Sequence, residues 1–502
     1  MKLLNFLWHL FFIVIILCTG ISCQDIQQKK VNRSGKELAK QYCVSCHMLP
    51  EPSELNKEIW DEKILPKMGY MLGLRGLSPE EYNSFHDDPR GKIEQKNSPY
   101  LIAKEPLLSK EEYQKIKDYY LDNAPEELAF ENPFQDLPVT DLFMPKEISL
   151  GVPYPSTTIA SFLSPGKLIV GDFMSGQLMQ LNDQFEITVR LQVKEAVLQF
   201  QEVGNSYWAT VFGEFFQGTD APTGLMIRYP KDSSKPAEIP IDSLKRPCHA
   251  DFVDLDADGQ DDIVISEFGK YTGGLSWWKN VNGAYTENKI LDLPGAIRTH
   301  IMDWDNDGDP DIVSLFAQAK EAIYLFLNDG EGKFKTLILK QFPATYGSTH
   351  MMVVDYNGDG LMDIIYSHGD NGDYTPLHKP YHGIRIFINK GNNELKEEKF
   401  IPVPGIYKTI LLDVDEDGDK DFLTISFFPS ANQPSFVYLE NQGAKDYKPY
   451  RLDARFASRW IAMDHMDFDG DGDQDLVLGG FHWEEGNYPE KIGVIYLENL
   501  TN

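Results

Sequence analysis

The 502-residue sequence has only five cysteines, Cys18, Cys23, Cys43, Cys46 and Cys248. Basic residues are in deficit as well: 47 Lys and Arg stand against 77 Asp and Glu, a formal charge of -30. A chain this acidic has no cationic face for phosphate backbones, which argues against nucleic acid as a partner. Long apolar runs are missing too. The one candidate, in "MKLLNFLWHLFFIVIILCTGISCQD", ends near Leu17, short of the ~20 residues that a membrane span needs. There is no dinucleotide-binding glycine fingerprint and no recognisable set of nucleophile, base and orienting acid.

That N-terminal stretch, with Lys2, an apolar core and small residues before Cys23, reads as a bacterial secretion signal over 1–22. Cleavage before Cys23 leaves its thiol at the new N-terminus, where lipoproteins carry acyl chains. Residues 23–34 would then be a lipidated tether. Gly20 departs from the leucine usual at the start of such a box, and Cys18 competes as the site. A soluble periplasmic protein and an uncleaved anchor remain the alternatives. With Cys18 removed, Cys23 lipidated and Cys43 and Cys46 taken up by the motif described next, one cysteine remains and no disulfide framework is possible, although an exported protein would be permitted one.

Cys43, Cys46 and His47 form C-x-x-C-H, the attachment sequence of a c-type haem. Two thiols three positions apart reach the two haem vinyl groups, and the adjacent imidazole is directed at the iron. "SGKELAKQYC" reads as a helix capped by Ser34. "SKEEYQKIKDYYLDNAP" reads as a second, opened by Ser109 with Glu112 three residues on and closed before Pro125. Residues 35–130 resemble the small class I cytochromes c, in which two such helices cross beside one covalent haem; Gly35 matches the small residue that the crossing favours. The resemblance implies a sixth ligand within "WDEKILPKMGYMLG", Met68 behind Pro66 before Met71, with His86 or an open position as alternatives.

Beyond a Pro-punctuated linker, residues 131–145, strand-like runs alternate with Gly, Asn and Asp. Five stretches repeat about 50 to 58 residues apart: "DLDADGQDD", "DWDNDGDPD", "DYNGDGLMD", "DVDEDGDKD" and "DFDGDGDQD". Oxygen-bearing side chains stand at positions 1, 3, 5 and 9. They are Asp254, Asp256, Asp258 and Asp262; Asp303, Asp305, Asp307 and Asp311; Asp355, Asn357, Asp359 and Asp363; Asp413, Asp415, Asp417 and Asp421; and Asp467, Asp469, Asp471 and Asp475. Such a hard-oxygen cage suits Ca2+, up to five ions in all, and Asn357 should make the third site the weakest. An EF-hand is excluded because position 12 is apolar and strand-like rather than a bidentate Glu.

These repeats resemble the FG-GAP or VCBS type, as in the integrin-α propellers. The resemblance implies a multidomain chain: a small all-α haem domain, then an all-β seven-bladed propeller over 146–502. Five blades carry the loops and two lie upstream, in "TTIASFLSPGKLIVGDFMSGQLMQLNDQFEITVRLQV" and in 196–242. The last repeat ends one strand short, so "KEISLGVPY", residues 146–154, is expected to complete the seventh blade and remove an exposed edge.

Opposite the loops, the starts of the first strands supply Arg246, His249, Arg298, His300, His350, Lys408 and Arg459. With His382 they form a candidate cationic ligand rim. His249, His350 and Lys408 lie five positions before the first aspartate of their loop and His300 three, on one strand face; Arg459 does not keep the register. Polar residues at strand starts also commonly serve only to bind loops. The long segment 367–383, with His368, Asp370, Asp373, Tyr374, His378, Lys379, Tyr381 and His382, falls on the same face.

Together these features imply an exported, monomeric protein, periplasmic or anchored as an outer-membrane lipoprotein of a Gram-negative bacterium. It would transfer electrons through haem c while the propeller binds a redox partner or anionic ligand; if an enzyme, it is an oxidoreductase. The alternative is a carbohydrate-binding propeller or polysaccharide lyase with an ancillary haem, in which Trp277, Tyr374, Tyr381 and Trp483 stack on sugars. An adhesion or assembly lipoprotein is a third reading.

Overall fold

Ser34 opens the first helix, Gly35–Tyr42, by a reciprocal cap: its hydroxyl accepts from the Glu37 N–H, and the Glu37 carboxylate accepts from the Ser34 N–H. Ser109 and Glu112 do the same for Lys110–Asn123. The two helices cross at Gly35, where a Cβ would lie 1.9 Å from the Lys115 carbonyl oxygen. Any side chain there would force them apart. Between them run the helical pieces Lys57–Ile59, Trp60–Ile64 (a π-turn) and Leu65–Met71. Trp60 anchors this core, its indole N–H donating to Pro52 O at 2.8 Å and its ring 4.4 Å from Tyr120.

The computed structural model describes residues 33–76, 103–215, 220–232, 234–318, 320–371, 379–428, 433–482 and 492–501. Among them no helix is long and apolar enough to cross a membrane. Cys18, Cys23, His86, Asp373, Tyr374, His378 and Trp483 lie outside the described residues.

From Phe143 onward the chain forms seven four-stranded antiparallel sheets. The innermost strands are Thr157–Ser164, Val197–Val203, Pro247–Val253, Ala296–Met302, Ser348–Val354, Ile406–Leu412 and Trp460–Met466, and neighbours in this series touch around a ring, Trp460–Met466 meeting Thr157–Ser164. The protein is therefore a seven-bladed β-propeller. Second strands such as Asp262–Glu267, Asp311–Phe316 and Asp421–Ser426 are buried at all six positions, since each sheet is covered on both faces by its neighbours. Their sequences are correspondingly apolar runs rather than alternating ones. Each of the seven seams between blades has its own apolar cluster.

Ring closure uses the two ends of the domain. Phe143–Ile148 pairs antiparallel with Val494–Asn499, from Phe143 opposite Asn499 to Ile148 opposite Val494. The closing strand thus starts three residues before the expected segment 146–154 and ends at Ile148, where Leu150 and Gly151 leave the sheet. The Asp-rich loops join first to second strands and open on one face of the ring. Second-to-third connections and the links between blades lie on the other.

Candidate functional site

Cys43 begins the single 3-10 turn Cys43–Ser45 after the first helix, with Cys46 next in the chain; both thiols are free and half-buried. The His47 Nδ1–H donates to Met48 O at 2.7 Å, which leaves Nε2 as the lone-pair nitrogen. Met68 and Cys43 both pack against the same helical core, whereas Val44 and Met48, 50% and 43% exposed, present apolar surface beside the motif. This donor set and apolar flank fit a covalently held haem. Met68 lies in the helix Leu65–Met71 together with Pro66, so the proline starts a helix rather than shaping a loop.

The motif is seated on the propeller. Met48 bridges Pro343, Thr345 Oγ1 donates to the Glu54 carboxylate at 2.6 Å, and the Tyr381 hydroxyl donates to Glu54 O at 2.9 Å. Burial raises the Glu54 carboxyl above the ordinary range. The seat comprises the link from fourth to fifth blade and segment 379–382, on the face opposite the Asp-rich loops. Behind it, Tyr381, Tyr346, His368, Tyr366 and Phe342 stack in sequence at centroid spacings of 5.3, 4.8, 4.9 and 4.1 Å.

In four of the five loops, three carboxylates bring ligand oxygens within 4.8 Å of one another: Asp254, Asp256 and Asp262; Asp303, Asp305 and Asp311; Asp413, Asp415 and Asp421; and Asp467, Asp469 and Asp471. The Asp355 loop is not among them, and the Asn357 amide donates to Asp359 at 2.9 Å. Buried oxygens of Asp256 and Asp413 have no hydrogen-bond partner, as expected of groups aimed at a cation. Crowding is evident at Asp421, which burial, with Asp415 and Asp417 adding to it, pushes up to about 7.

The ninth-position aspartates have a second task that the sequence reading missed. In every loop one oxygen accepts from the N–H of position 2 and the other from the N–H of an asparagine at or one residue before the end of the third strand: Asn280, Asn328, Asn389, Asn441 or Asn499, all at 2.7–3.3 Å. The recurring Asn was the available signal. One residue earlier the loops diverge. Lys279 ion-pairs with Asp256 and lies 3.6 Å from Asp258, whereas the sixth and seventh blades have Glu440 and Glu498 there.

The expected rim divides into two sets. Every innermost strand has a bulge after its first residue, and the residues following it in the third to sixth blades are His249, Arg298, His350 and Lys408. They hold equivalent positions on consecutive innermost strands, and His249 and Lys408 reach the innermost strand of the next blade, at Thr299 and Met463, so this level lines the axis of the ring. His300 is two residues further along its strand than Arg298, beside Asp251. Arg246 instead stacks on Phe212 and Phe268, Arg459 on Phe427, and His382 packs against Tyr381 and His368; these three are not part of the axial group. Trp277 is buried in the seam between third and fourth blades, covered by Gly332, and presents no stacking face for a sugar.

Two acids stand beside the axial group, Asp251 acting on the charge of Arg298 and Asp464 on those of Arg298 and Lys408, and each has one oxygen engaged. Asp251 accepts from Thr299 Oγ1 at 2.5 Å, and Asp464 from Ser161 Oγ and the Phe162 N–H at 2.5 and 3.0 Å. Lys408 donates to Met463 O at 2.7 Å, and burial lowers its ammonium to about 8. No hydrogen bond or ion pair from a described residue engages the Arg298 guanidinium, whose Nε is buried, and both ring nitrogens of the buried His350 are unpartnered.

Residues 254–314 and 303–366 match the FG-GAP-like repeat family. The chain is thus a seven-bladed propeller carrying FG-GAP repeats in its third to fifth blades. No curated protein matches it. Similar solved structures include a streptogramin B lyase (11% identity, TM-score 0.46, covering 71% of this chain and 98% of that one). A catalytically inactive virginiamycin B lyase from Staphylococcus aureus with quinupristin is also similar (12%, 0.45, 71% and 99%), as is YCF48 bound to D1 peptide (10%, 0.44, 73% and 100%).

Proposed function

We propose that this chain is an exported haem c electron-transfer protein whose calcium-stabilised propeller binds a redox partner or an anionic ligand. The observation that carries the reading is the seating of C-x-x-C-H on the propeller: Met48, next to His47, bridges Pro343, and Glu54 is held by Thr345 and Tyr381. Cys43 and Cys46 would hold the haem and His47 Nε2 would ligate it, with Met68 as the sixth ligand. The bound haem would supply one-electron chemistry. The protein's own part is to fix the His47 tautomer through Met48 O and to offer a docking face whose geometry is set by two blades.

The Asp-rich loops would hold Ca2+ through positions 1, 3, 5 and 9, the ninth carboxylate also bracing each loop through two backbone N–H groups. Lipidation at Cys23 would tether the protein to a periplasmic or outer-membrane surface. The experiment is direct: chemically reduced protein is mixed with candidate redox proteins and the haem absorbance is followed. Oxidation within seconds by a periplasmic acceptor is expected, and a His47→Ala variant that keeps full biological activity would rule the reading out.

A further inference from the structure

We propose that the propeller axis contains a binding site for a small oxyanion of the carboxylate or phosphate type, held by Arg298 and Lys408 and flanked by His249 and His350. The site rests on the ligand-binding half of the function proposed above and needs none of its haem chemistry.

Four consecutive blades place these side chains at one level, each directly after the bulge of its innermost strand. A bulge re-aims the side chain that follows it, and its repetition turns four strands towards one space. The guanidinium there is a planar fork suited to two oxygens of one anion. No described residue hydrogen-bonds to it; Asp251 and Asp464 act on its charge from a distance, each with one oxygen already accepting from Thr299 or from Ser161 and Phe162. An unpaired cation out of bulk water is costly, as is a buried imidazole with neither nitrogen bonded. One oxyanion would satisfy both.

The surroundings favour a specific guest over a loose ion atmosphere. With a formal charge of -30 the protein repels anions in general. On the face where the innermost strands begin, Phe173, Phe215, Phe427 and Phe481 stack against one another at 5.1–6.4 Å, and Phe212 joins Phe215 at 5.5 Å. This apolar cluster, contributed by the first, second, sixth and seventh blades, lowers the dielectric on the face where the innermost strands begin. Burial also keeps His249, His300 and His350 below their ordinary range. The His249 Nδ1–H donates to Thr299 Oγ1 and the His300 Nε2–H to Met351 O, so the neutral His350 is the imidazole whose N–H can turn to the guest.

The test is isothermal titration of the intact, calcium-loaded protein with acetate and with inorganic phosphate, and with sodium chloride as the ionic-strength control. One equivalent of either oxyanion should bind, and comparison of the two arms identifies which class fits. Arg298→Met should weaken that binding at least tenfold. Added oxyanion should raise the melting temperature of the wild type and leave that of the folded variant unchanged. If Arg298→Met does not fold, Lys408→Met takes its place in the titration. Absence of oxyanion binding in the wild type, or unchanged affinity in the folded variant, overturns the proposal. The readout is heat, so a colourless preparation that binds oxyanion sinks the haem reading alone, and a haem-loaded one that binds none sinks this site alone.

Discussion

Among the described residues thirteen buried side chains make up the core of the helical segment, whereas the propeller has a separate apolar cluster at each of its seven seams. The first is close to the smallest core that holds a chain folded, and small domains of this kind lean on covalent or metal cross-links. The second is a closed repetition in which every blade is supported from both sides and the two ends of the domain pair. The comparison teaches that the two prosthetic chemistries proposed here act on different structures. Haem would be part of the helical core, and calcium would tighten loops on a scaffold that is already closed.

The largest effect that separates them is expected from Cys46→Ala. Loss of a thioether bond should abolish or greatly reduce haem incorporation and unfold the helical segment, leaving the propeller's thermal transition in place by calorimetry. Chelation should do the reverse, lowering the propeller transition by several degrees while the haem spectrum holds. Within the propeller the loops should rank: Asp467→Ala should cost more thermal stability in calcium than Asp355→Ala, because the Asp355 loop does not gather three carboxylate oxygens. Lys279→Gln should tighten calcium binding several-fold in the third blade, since Lys279 now occupies Asp256 where the sixth and seventh blades carry Glu.

The smallest effects belong to the seat between the two regions. Thr345→Val removes a hydrogen bond to a carboxylate, roughly 1–3 kcal/mol of docking, which limited proteolysis of the linker would detect. A carboxyl raised by burial favours the docked state when protonated. The seat should therefore hold at low pH and loosen as pH rises through the raised Glu54 value, which hydrogen exchange at 343–347 would follow.

Much of this was legible in the sequence because repetition amplifies weak signals. The alternating aspartates, the two Ser/Glu caps and the missing fourth strand of the last repeat each pointed to a geometry that a short stretch enforces by itself. The axial group was only half legible. Arg298 stands five residues before Asp303, as His249 does before Asp254, but the bulge in each strand made His300 look like the matching position. Trp277 was misread because a large aromatic in a repeat gives no hint of which seam buries it. The seat of Glu54 on Thr345 and Tyr381 was illegible altogether, since those contacts span 291 and 327 residues and follow no local pattern.

One measurement bears most directly on the whole account: the visible spectrum of the full-length protein, matured in an export-competent cell, before and after denaturation and acid-acetone extraction. The account predicts one haem per chain that stays with the denatured polypeptide and is lost in Cys46→Ala. A colourless protein, or a colour that extracts completely, would contradict it.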